Sequence, residues 1–394
     1  MQFHLNGFQA GDPEKKSTLN STNDPSTSRK LPDKADVLIV GCGPAGLTLA
    51  AQLSKFSDIN TVIVEKNDTR LLLGQADGVA CRTMEMFQAF GFSEKVVKEG
   101  YWVNETAFWK PDEKQPQNII RSSRIQDTED GLSEFPHMVL NQARVHDFYL
   151  DIMKKSNSGL EPDYSRKLIS VDIDSEKSSS DDFPITAKFQ KTTTNGSCKT
   201  ETISAKYIVG CDGARSVVRN ELNLSLKGDS ANQAWGVMDV LAITDFPDVR
   251  LKAIIHSINE GNLLIIPREG GYLIRLYIEL DKLSENERIA NKNITSDHLI
   301  SAAKRIMHPY SIQIKEIVWW SVYEIGQRLC DKFDDVPKNN MASNFPKGFI
   351  VGDACHTHSP QAGQGMNVSM QDSFNLGWKL AAVIKGICLS LIHI

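Results

Sequence analysis

Three short stretches hold the residue types best spaced to bind and react. Gly41-Cys42-Gly43-Pro44-Ala45-Gly46 sets glycines in the order GxGxxG. Cys211-Asp212-Gly213-Ala214-Arg215-Ser216 places an acid in a second glycine turn, and Gly352-Asp353 opens the run GDACHTHSPQAGQGMN, which ends at Asn367. The first spacing suits a dinucleotide. Gly41 permits a tight bend, Gly43 lets the backbone approach a pyrophosphate, and Gly46 lets a helix pack closely on a strand. The N–H groups of the helix that opens at Pro44 and Ala45 offer positive dipole to phosphate. Glu65, nineteen residues past Gly46 and followed by Lys66, stands where an acid can accept from a ribose hydroxyl. An acid there disfavours a 2′-phosphate, so the nucleotide bound in this turn is expected to be FAD or NAD. The third stretch crowds Cys355, His356 and His358 into four positions. That is too cramped for the separated ligand pairs zinc normally uses, and no second cluster completes the set, so no metal is expected.

These turns need elements to hold them. ADVLIV (35–40) reads as an apolar strand, 44–56 as an Ala/Leu-rich helix and TVIVEK (61–66) as a β-branched strand, together a βαβ unit with a parallel sheet. SAKYIVGCDGARS and GFIVGDACH repeat the strand-to-turn pattern. Helices are expected over Asn141–Ser156, Ser296–Met307 and Gly365–Lys385. From about Trp235 to Gly326 the character changes, and WGVMDVLAI, GNLLIIPRE, GYLIRLYIEL and IKEIVWWSVYEI alternate as sheet strands do. The fold class is therefore α/β, a Rossmann-like βαβ domain with an interleaved mixed or antiparallel sheet domain. The expected limits are a disordered leader at 1–33, a discontinuous nucleotide domain at 34–110, 136–230 and 331–386, a surface excursion at 111–135 and a substrate-binding sheet domain at 231–330.

Composition narrows the partners. The 394 residues are 41% hydrophobic, enough for a large core. Net charge is −5, the sequence pI is near 6.0, and no long Lys/Arg run occurs. Nucleic acid and anionic membranes are thus poor partners, which leaves small molecules. No apolar run reaches the roughly 18 residues needed to span a bilayer. Seven scattered cysteines and no signal peptide point to a reducing, cytoplasmic setting.

The trio GCGPAG, CDGARS and GDACHTHSPQAGQGMN resembles the FAD-dependent aromatic hydroxylases, the group A flavoprotein monooxygenases with the p-hydroxybenzoate hydroxylase fold. GQADGVACRTMEMF (74–87), LNQARVHDF (140–148) and IIPREGGYLIRLYIEL (265–280) resemble the phenol 2-monooxygenase subfamily. The resemblance runs from Ala35 to Gly386. It implies FAD as bound cofactor and NADPH as co-substrate. It further implies that O2 is captured as a flavin hydroperoxide and that a small phenolic substrate is hydroxylated ortho to its hydroxyl. A related reading is a hydroxybenzoate hydroxylase, which needs a cation for the substrate carboxylate. Another is a truncated FAD-binding shell without turnover.

By resemblance, Asp77 is the base that takes the phenol proton and Tyr277 is the partner of the substrate hydroxyl. Arg275, two residues before Tyr277 in an alternating strand, shares its sheet face and can hold Asp77 ionised. Arg268 is a candidate for flavin or Asp77 contact. Gln75, Arg82, Gln142, Asp212 and Gly352 resemble flavin-side positions, and Asp353 bonds a ribitol hydroxyl. Pro360, Gly363, Gly365, Met366 and Asn367 carry the flavin ring past a helix N-terminus. Cys355, His356 and His358 are then scaffold. Family members continue into a further helix and, in the phenol subfamily, a thioredoxin-like C-terminal domain absent from this chain. The final LSLIHI matches what a common sequencing-library adapter encodes, so 387–394 is expected to be a non-native tail on a fragment. A homodimer is compatible with the resemblance.

Overall fold

Lys34–Val40 (β3) contains Val37, Leu38 and Ile39 with no solvent exposure, the continuous apolar run of a parallel strand covered on both faces. In this computed structural model the described residues are 3–4, 7–8, 30–174, 182–192, 198–280, 294–337, 345–358 and 363–388. Most of the expected leader therefore lies outside them, although Phe3–His4 (β1) and Gly7–Phe8 (β2) pair as a short antiparallel ribbon. Residues 389–394 of the expected tail also lie outside.

β3 runs through a glycine turn into α1 (Pro44–Leu53) and on to β4 (Thr61–Val64), which pairs parallel with β3 from Val37↔Thr61 to Val40↔Val64. Pro44 stands in the first turn of α1, where its missing N–H costs nothing. The helix stops three residues short of the expected Phe56, where the Ser54 hydroxyl bonds back to the Ala51 carbonyl at 2.8 Å. Three antiparallel strands, β10 (Arg166–Ile173), β11 (Ile185–Thr192) and β12 (Cys198–Gly210), extend the sheet. The last residues of β12 lie parallel to β3 on one side and to β18 (Gly348–Ile350) on the other. So β3, β12 and β18 run the same way, and the turns at 41–46, 211–216 and 352–353 open at one end of the sheet. That is the end at which open parallel sheets bind ligands.

The second sheet has eight strands in the order β19 (His356–Thr357), β17 (Ile312–Cys330), β13 (Leu226–Thr244), β16 (Leu273–Glu279), β15 (Asn262–Pro267), β14 (Lys252–His256), β7 (Glu105–Pro111) and β8 (Ile119–Gln126). Only β14 and β7 pair parallel. The structure corrects the sequence reading here. The excursion at 111–135 is not all loop, because IIRSSRIQ forms the edge strand β8. Seven of its eight residues are exposed, which hides the alternation that marks a half-buried strand. Its neighbour β7 also joins this sheet, although its residues were expected in the nucleotide domain. The long strands β13 and β17 reach Leu226 and Cys330, and β14 had no sequence signal of its own.

Helix α6 (Ser296–Ile306) covers one face of the sheet with Leu299, Ala302, Ala303 and Ile306. The opposite face follows from register. Asp239 stands between Arg275 and Trp319, Val237 between Tyr277 and Ser321, and Trp235 opposite Tyr323. Directly opposed residues share a face, so these side chains all look away from α6. A small sheet of β5 (Gly78–Val79), β9 (His137–Val139) and β6 (Tyr101–Val103) lies between the two larger ones in sequence. Helices α2 (Cys81–Phe90), α3 (Ser93–Glu99), α4 (Gln142–Lys155), α5 (Val217–Glu221) and α7 (Gly365–Ile384) are the other α-helices among the described residues.

A Cβ on Gly46 would sit 1.9 Å from the Gly41 carbonyl oxygen and 3.3 Å from the Cys211 Cβ. Gly46→Ala is expected to destabilise the chain by about 1–3 kcal/mol, since the obstructing atom is backbone and cannot swing away. Urea unfolding would measure this, and an unchanged midpoint would show that the turn is not close-packed.

Candidate active site

A cavity of about 800 Å³ lies at the open end of the first sheet, walled by Gly41, Gly43, Glu65, Lys66, Gln142 and Asp212 among others. A second of about 360 Å³ is walled by Pro44, Ala45, Gln75, Asp77, Tyr277 and Asp353, with Tyr323, His358, Gly363, Gly365 and Met366. Gly43, Gln142, Cys211 and Gly213 wall both. The two are therefore one trough, running from the βαβ turn to the face of the large sheet that carries Tyr277.

The nucleotide end shows why each glycine is needed. Gly41 has φ +106°, and a Cβ there would meet the Cys211 carbonyl oxygen at 2.4 Å. Among the described residues, the one atom within 4 Å of such a Cβ at Gly43 is that same oxygen at 4.0 Å, so this backbone faces the cavity. Among the described residues no side chain caps α1. Its first-turn N–H groups are thus left for a ligand, and a phosphate suits them. Glu65 braces the turn, accepting from the Cys42 N–H at 2.9 Å and from Asn67 through its other oxygen. Asp212 accepts from the N–H groups of Val217 and Val218, so it caps α5 while also walling the trough. The Gln142 side chain accepts from the N–H groups of Gln75 and Ala76 at 3.1 and 3.2 Å, which fixes the segment leading to Asp77.

At the other end, Gly352 has φ +62° and donates its N–H to Asp372 at 3.0 Å. Asp353 walls the cavity, and burial raises its carboxyl pKa above the ordinary value. Asn367 is buried behind the wall rather than in it. Its side chain accepts from the Ala80 N–H and the Thr83 hydroxyl and donates to the Gly78 and Gly363 carbonyls, so it ties the Asp77 segment to the start of α7. One expected flavin contact is not brought in. Arg82 points outward from the first turn of α2 and pairs with Glu85 at 2.7 Å, with 68% of its side chain exposed. Pro360 lies outside the described residues.

The Tyr277 end is built on a buried ion cluster. Arg275 donates through Nε and Nη2 to the two oxygens of Asp239 at 2.6 and 2.7 Å. Its Nη1 bonds the Gln75 carbonyl and stands 3.2 Å from Asp77 Oδ2 and 3.5 Å from the Tyr277 hydroxyl. Arg268 donates to Glu269 twice at 2.9 Å and to Asp239 at 2.9 Å, and lies 3.4 Å from Asp77 Oδ2. Both guanidiniums are fully buried. Asp77 is only 4% exposed, and its Oδ2 makes no hydrogen bond with any described residue despite the two nearby cations. Burial, and then the Asp77 charge, push the Tyr277 hydroxyl pKa upward, so it stays protonated and able to donate.

The structure brings Asp77, Arg268, Arg275 and Tyr277 together and adds Asp239 and Tyr323, which the sequence analysis did not single out. Asp239 was visible as a lone acid inside the apolar strand WGVMDVLAI, where an unpartnered charge is too costly to bury. Tyr323 offers a second buried hydroxyl on this face, its pKa pushed up to about 12 chiefly by burial. Trp319 packs in this cluster beneath Arg275, 5.4 Å from its ring, whereas Trp320 on the opposite face is exposed.

One further group deserves a chemical test. Cys355, His356 and Asp372 set possible ligand atoms within 4.8 Å of one another. Burial pushes the Cys355 thiol upward, however, and its Sγ donates to the Gly352 carbonyl at 3.2 Å. His356 and Asp372 bond each other at 2.7 Å. A protonated thiol is a poor metal ligand.

Asp239→Asn should destabilise the fold by about 3–5 kcal/mol, because it leaves two buried guanidiniums short of a carboxylate. The arginines outweigh burial and hold the Asp239 carboxyl below its usual 3.8. Its contribution is therefore complete above pH 3.8 and lost as pH falls through the lower folded value. Denaturant unfolding of both proteins as a function of pH would show the difference shrinking in acid. A constant difference would contradict the assignment.

A family model described as an FAD binding domain matches residues 34–389. Over 396 residues the chain is 58% identical to a 3-hydroxybenzoate 4-monooxygenase of Comamonas testosteroni, taking in all of this chain and 61% of that protein. It is 36% identical over 348 residues to a phenol 2-monooxygenase of Aspergillus fumigatus, covering 88% of this chain and 55% of the relative. The chain thus spans little more than half the length of these relatives. Among solved structures, the flavin-dependent monooxygenase PieE in complex with FAD and substrate superposes with a TM-score of 0.70 at 20% identity, over 91% of this chain and 59% of that one. That likeness is one of fold. With the matched domain, the bare glycine turn and the uncapped helix at the trough all in agreement, the chain belongs to the FAD binding domain family, that of the FAD-dependent aromatic hydroxylases.

Proposed function

We propose that this chain hydroxylates a phenolic ring next to its hydroxyl, using FAD, NADPH and O2, and that hydroxybenzoates are the favoured substrate class. The observation that carries the reading is Asp77, a buried carboxylate on the trough wall with one oxygen unbonded and two guanidiniums beside it. Gly43, the start of α1, Gln142, Asp212, Asp353 and the Gly363–Met366 segment would hold FAD, which would supply the oxygen-activating redox chemistry that side chains lack.

The chain's own residues prepare the ring. A phenol hydroxyl has a reference pKa near 10, and its phenolate is the better nucleophile. Asp77 Oδ2 is free to accept that proton, and the arginines limit the cost of charge around it. The Tyr277 hydroxyl, kept protonated, donates to the ring oxygen and fixes which carbon faces the cofactor. Asp239 and Glu269 occupy most of the guanidinium donors, so Arg268 and Arg275 steady Asp77 without sealing it. The 58% identical relative supports a hydroxybenzoate. Carbon 4 of 3-hydroxybenzoate adjoins the carbon bearing the hydroxyl, so the reaction in that relative's name is also an ortho hydroxylation.

The test is NADPH consumption and product identity with 3-hydroxybenzoate and with phenol. Asp77→Asn should lower turnover by roughly 10²- to 10⁴-fold, the range for loss of a general base. Tyr277→Phe should lower it by about 10-fold, the worth of one hydrogen bond. Wild-type turnover in Asp77→Asn would refute the role of the base. Absence of any phenol-dependent product from FAD-loaded protein would refute the activity.

A further inference from the structure

The mechanism above leaves one hydrogen-bonded chain of titratable groups without a task, running from the buried His356 to the exposed His358. His356 begins β19, which pairs with β17, and His358 follows just after the strand with its ring 4.8 Å from that of His356. His356 Nε2 lies 2.7 Å from Asp372 Oδ2, and His358 Nε2 lies 2.9 Å from His356 Nδ1. Asp372 comes from α7 and also accepts the Gly352 N–H. An oxygen already accepting a backbone N–H must be an acceptor for the imidazole too, so His356 carries its proton on Nε2. His358 walls the smaller cavity. The chain Asp372–His356–His358 thus begins under the Gly352 turn and ends in the trough.

We propose that Asp372, His356 and His358 form a proton relay that takes up a proton at the trough and lodges the positive charge on His356 beside Asp372. The inference rests on the reading that the trough holds a flavin. The step balances without moving a heavy atom. With both rings neutral, His358 donates from Nε2 to His356 Nδ1, and His358 Nδ1 keeps a free lone pair. A proton arriving at His358 Nδ1 forms that N–H bond. The His358 Nε2–H bond breaks and His356 Nδ1–H forms, leaving His358 neutral and His356 cationic. Reversal returns the proton to the trough.

Electrostatics favours this distribution of charge. Burial opposes a charged His356, but the hydrogen bond and charge of Asp372, with the charge of Asp353, outweigh it and raise its basicity. Burial and then the charge of His356 lower the basicity of His358. Asp372 and Asp353 are the charged groups acting on the pair, and the Phe333 ring meets His356 at an angle of 67° without adding charge. Negative charge appearing in the trough on flavin reduction would draw a proton into the relay, compensating it at the wall.

The experiment is anaerobic photoreduction of FAD-loaded protein in weak buffer with a pH indicator, counting protons taken up per two electrons between about pH 6 and 8. The wild type should take up more protons than His358→Gln, by a fraction approaching one at the best pH. Asp372→Asn should lose the same increment, since His356 no longer gains a carboxylate partner. Each variant's flavin absorbance reports whether the site is intact. Equal proton counts in wild type and in flavin-loaded His358→Gln would overturn the relay. So would a stoichiometric metal ion found on Cys355, His356 and Asp372. Imidazole nitrogen NMR separates the two layers of the argument, because the bond between the rings is visible without flavin. Coupled titration of the rings in a protein that fails to hold FAD would sink the flavin reading alone, and independent titration would sink the relay.

Discussion

Two guanidiniums with no access to water impose the main constraint on this structure. A buried cation must be matched within hydrogen-bond reach or it unfolds its surroundings. Arg275 and Arg268 are matched from three places: Asp239 across the strand register, Glu269 in the turn after β15, and the Gln75–Asp77 segment that precedes α2. The segment from 75 to 77 is itself held by Gln142 at the head of α4, beside the nucleotide turn. The cluster therefore joins the large sheet to the βαβ half of the chain. Loss of register in either half would strand a charge.

The same cluster explains how a carboxylate can be buried and still keep an oxygen open. Five ionisable side chains share the site, two arginines and three acids. Asp239 and Glu269 take the well-aligned donors, and Asp77 receives close approach without a hydrogen bond on Oδ2. A single arginine and a single aspartate in that volume would form a closed bidentate pair. The extra acids keep Asp77 available to a third party.

Much of this was legible in the sequence, and the exceptions have physical causes. The glycine turn could be read because its backbone demands are local: one positive φ, one bare approach and one tight helix contact, at fixed spacing. Arg275 and Tyr277 could be read as neighbours because strands alternate. Asp239 could not be joined to Arg275, since that pairing depends on register between β13 and β16, which β14 and β15 separate in sequence, and local patterning carries no register. The edge strand β8 was hidden by its exposure, which removes the alternation that identifies strands. Arg82 was misplaced because resemblance fixes a position in the chain, whereas the first turn of α2 and Glu85 decide where its side chain points.

The alignment of β3, β12 and β18 carries a consequence for how the protein is made. The three turns that share one end of the sheet lie at residues 41, 211 and 352, so the pocket is assembled from chain ends that leave the ribosome far apart in time. Until Gly348–Ile350 arrives, the last residues of β12 present an unpaired edge of hydrophobic backbone, the feature on which stray strands add. Such long-range pairing folds slowly. A nascent chain of this design should depend on chaperones most heavily in the interval between synthesis of β12 and of β18, and any ligand that binds the trough can stabilise it only after that interval has closed.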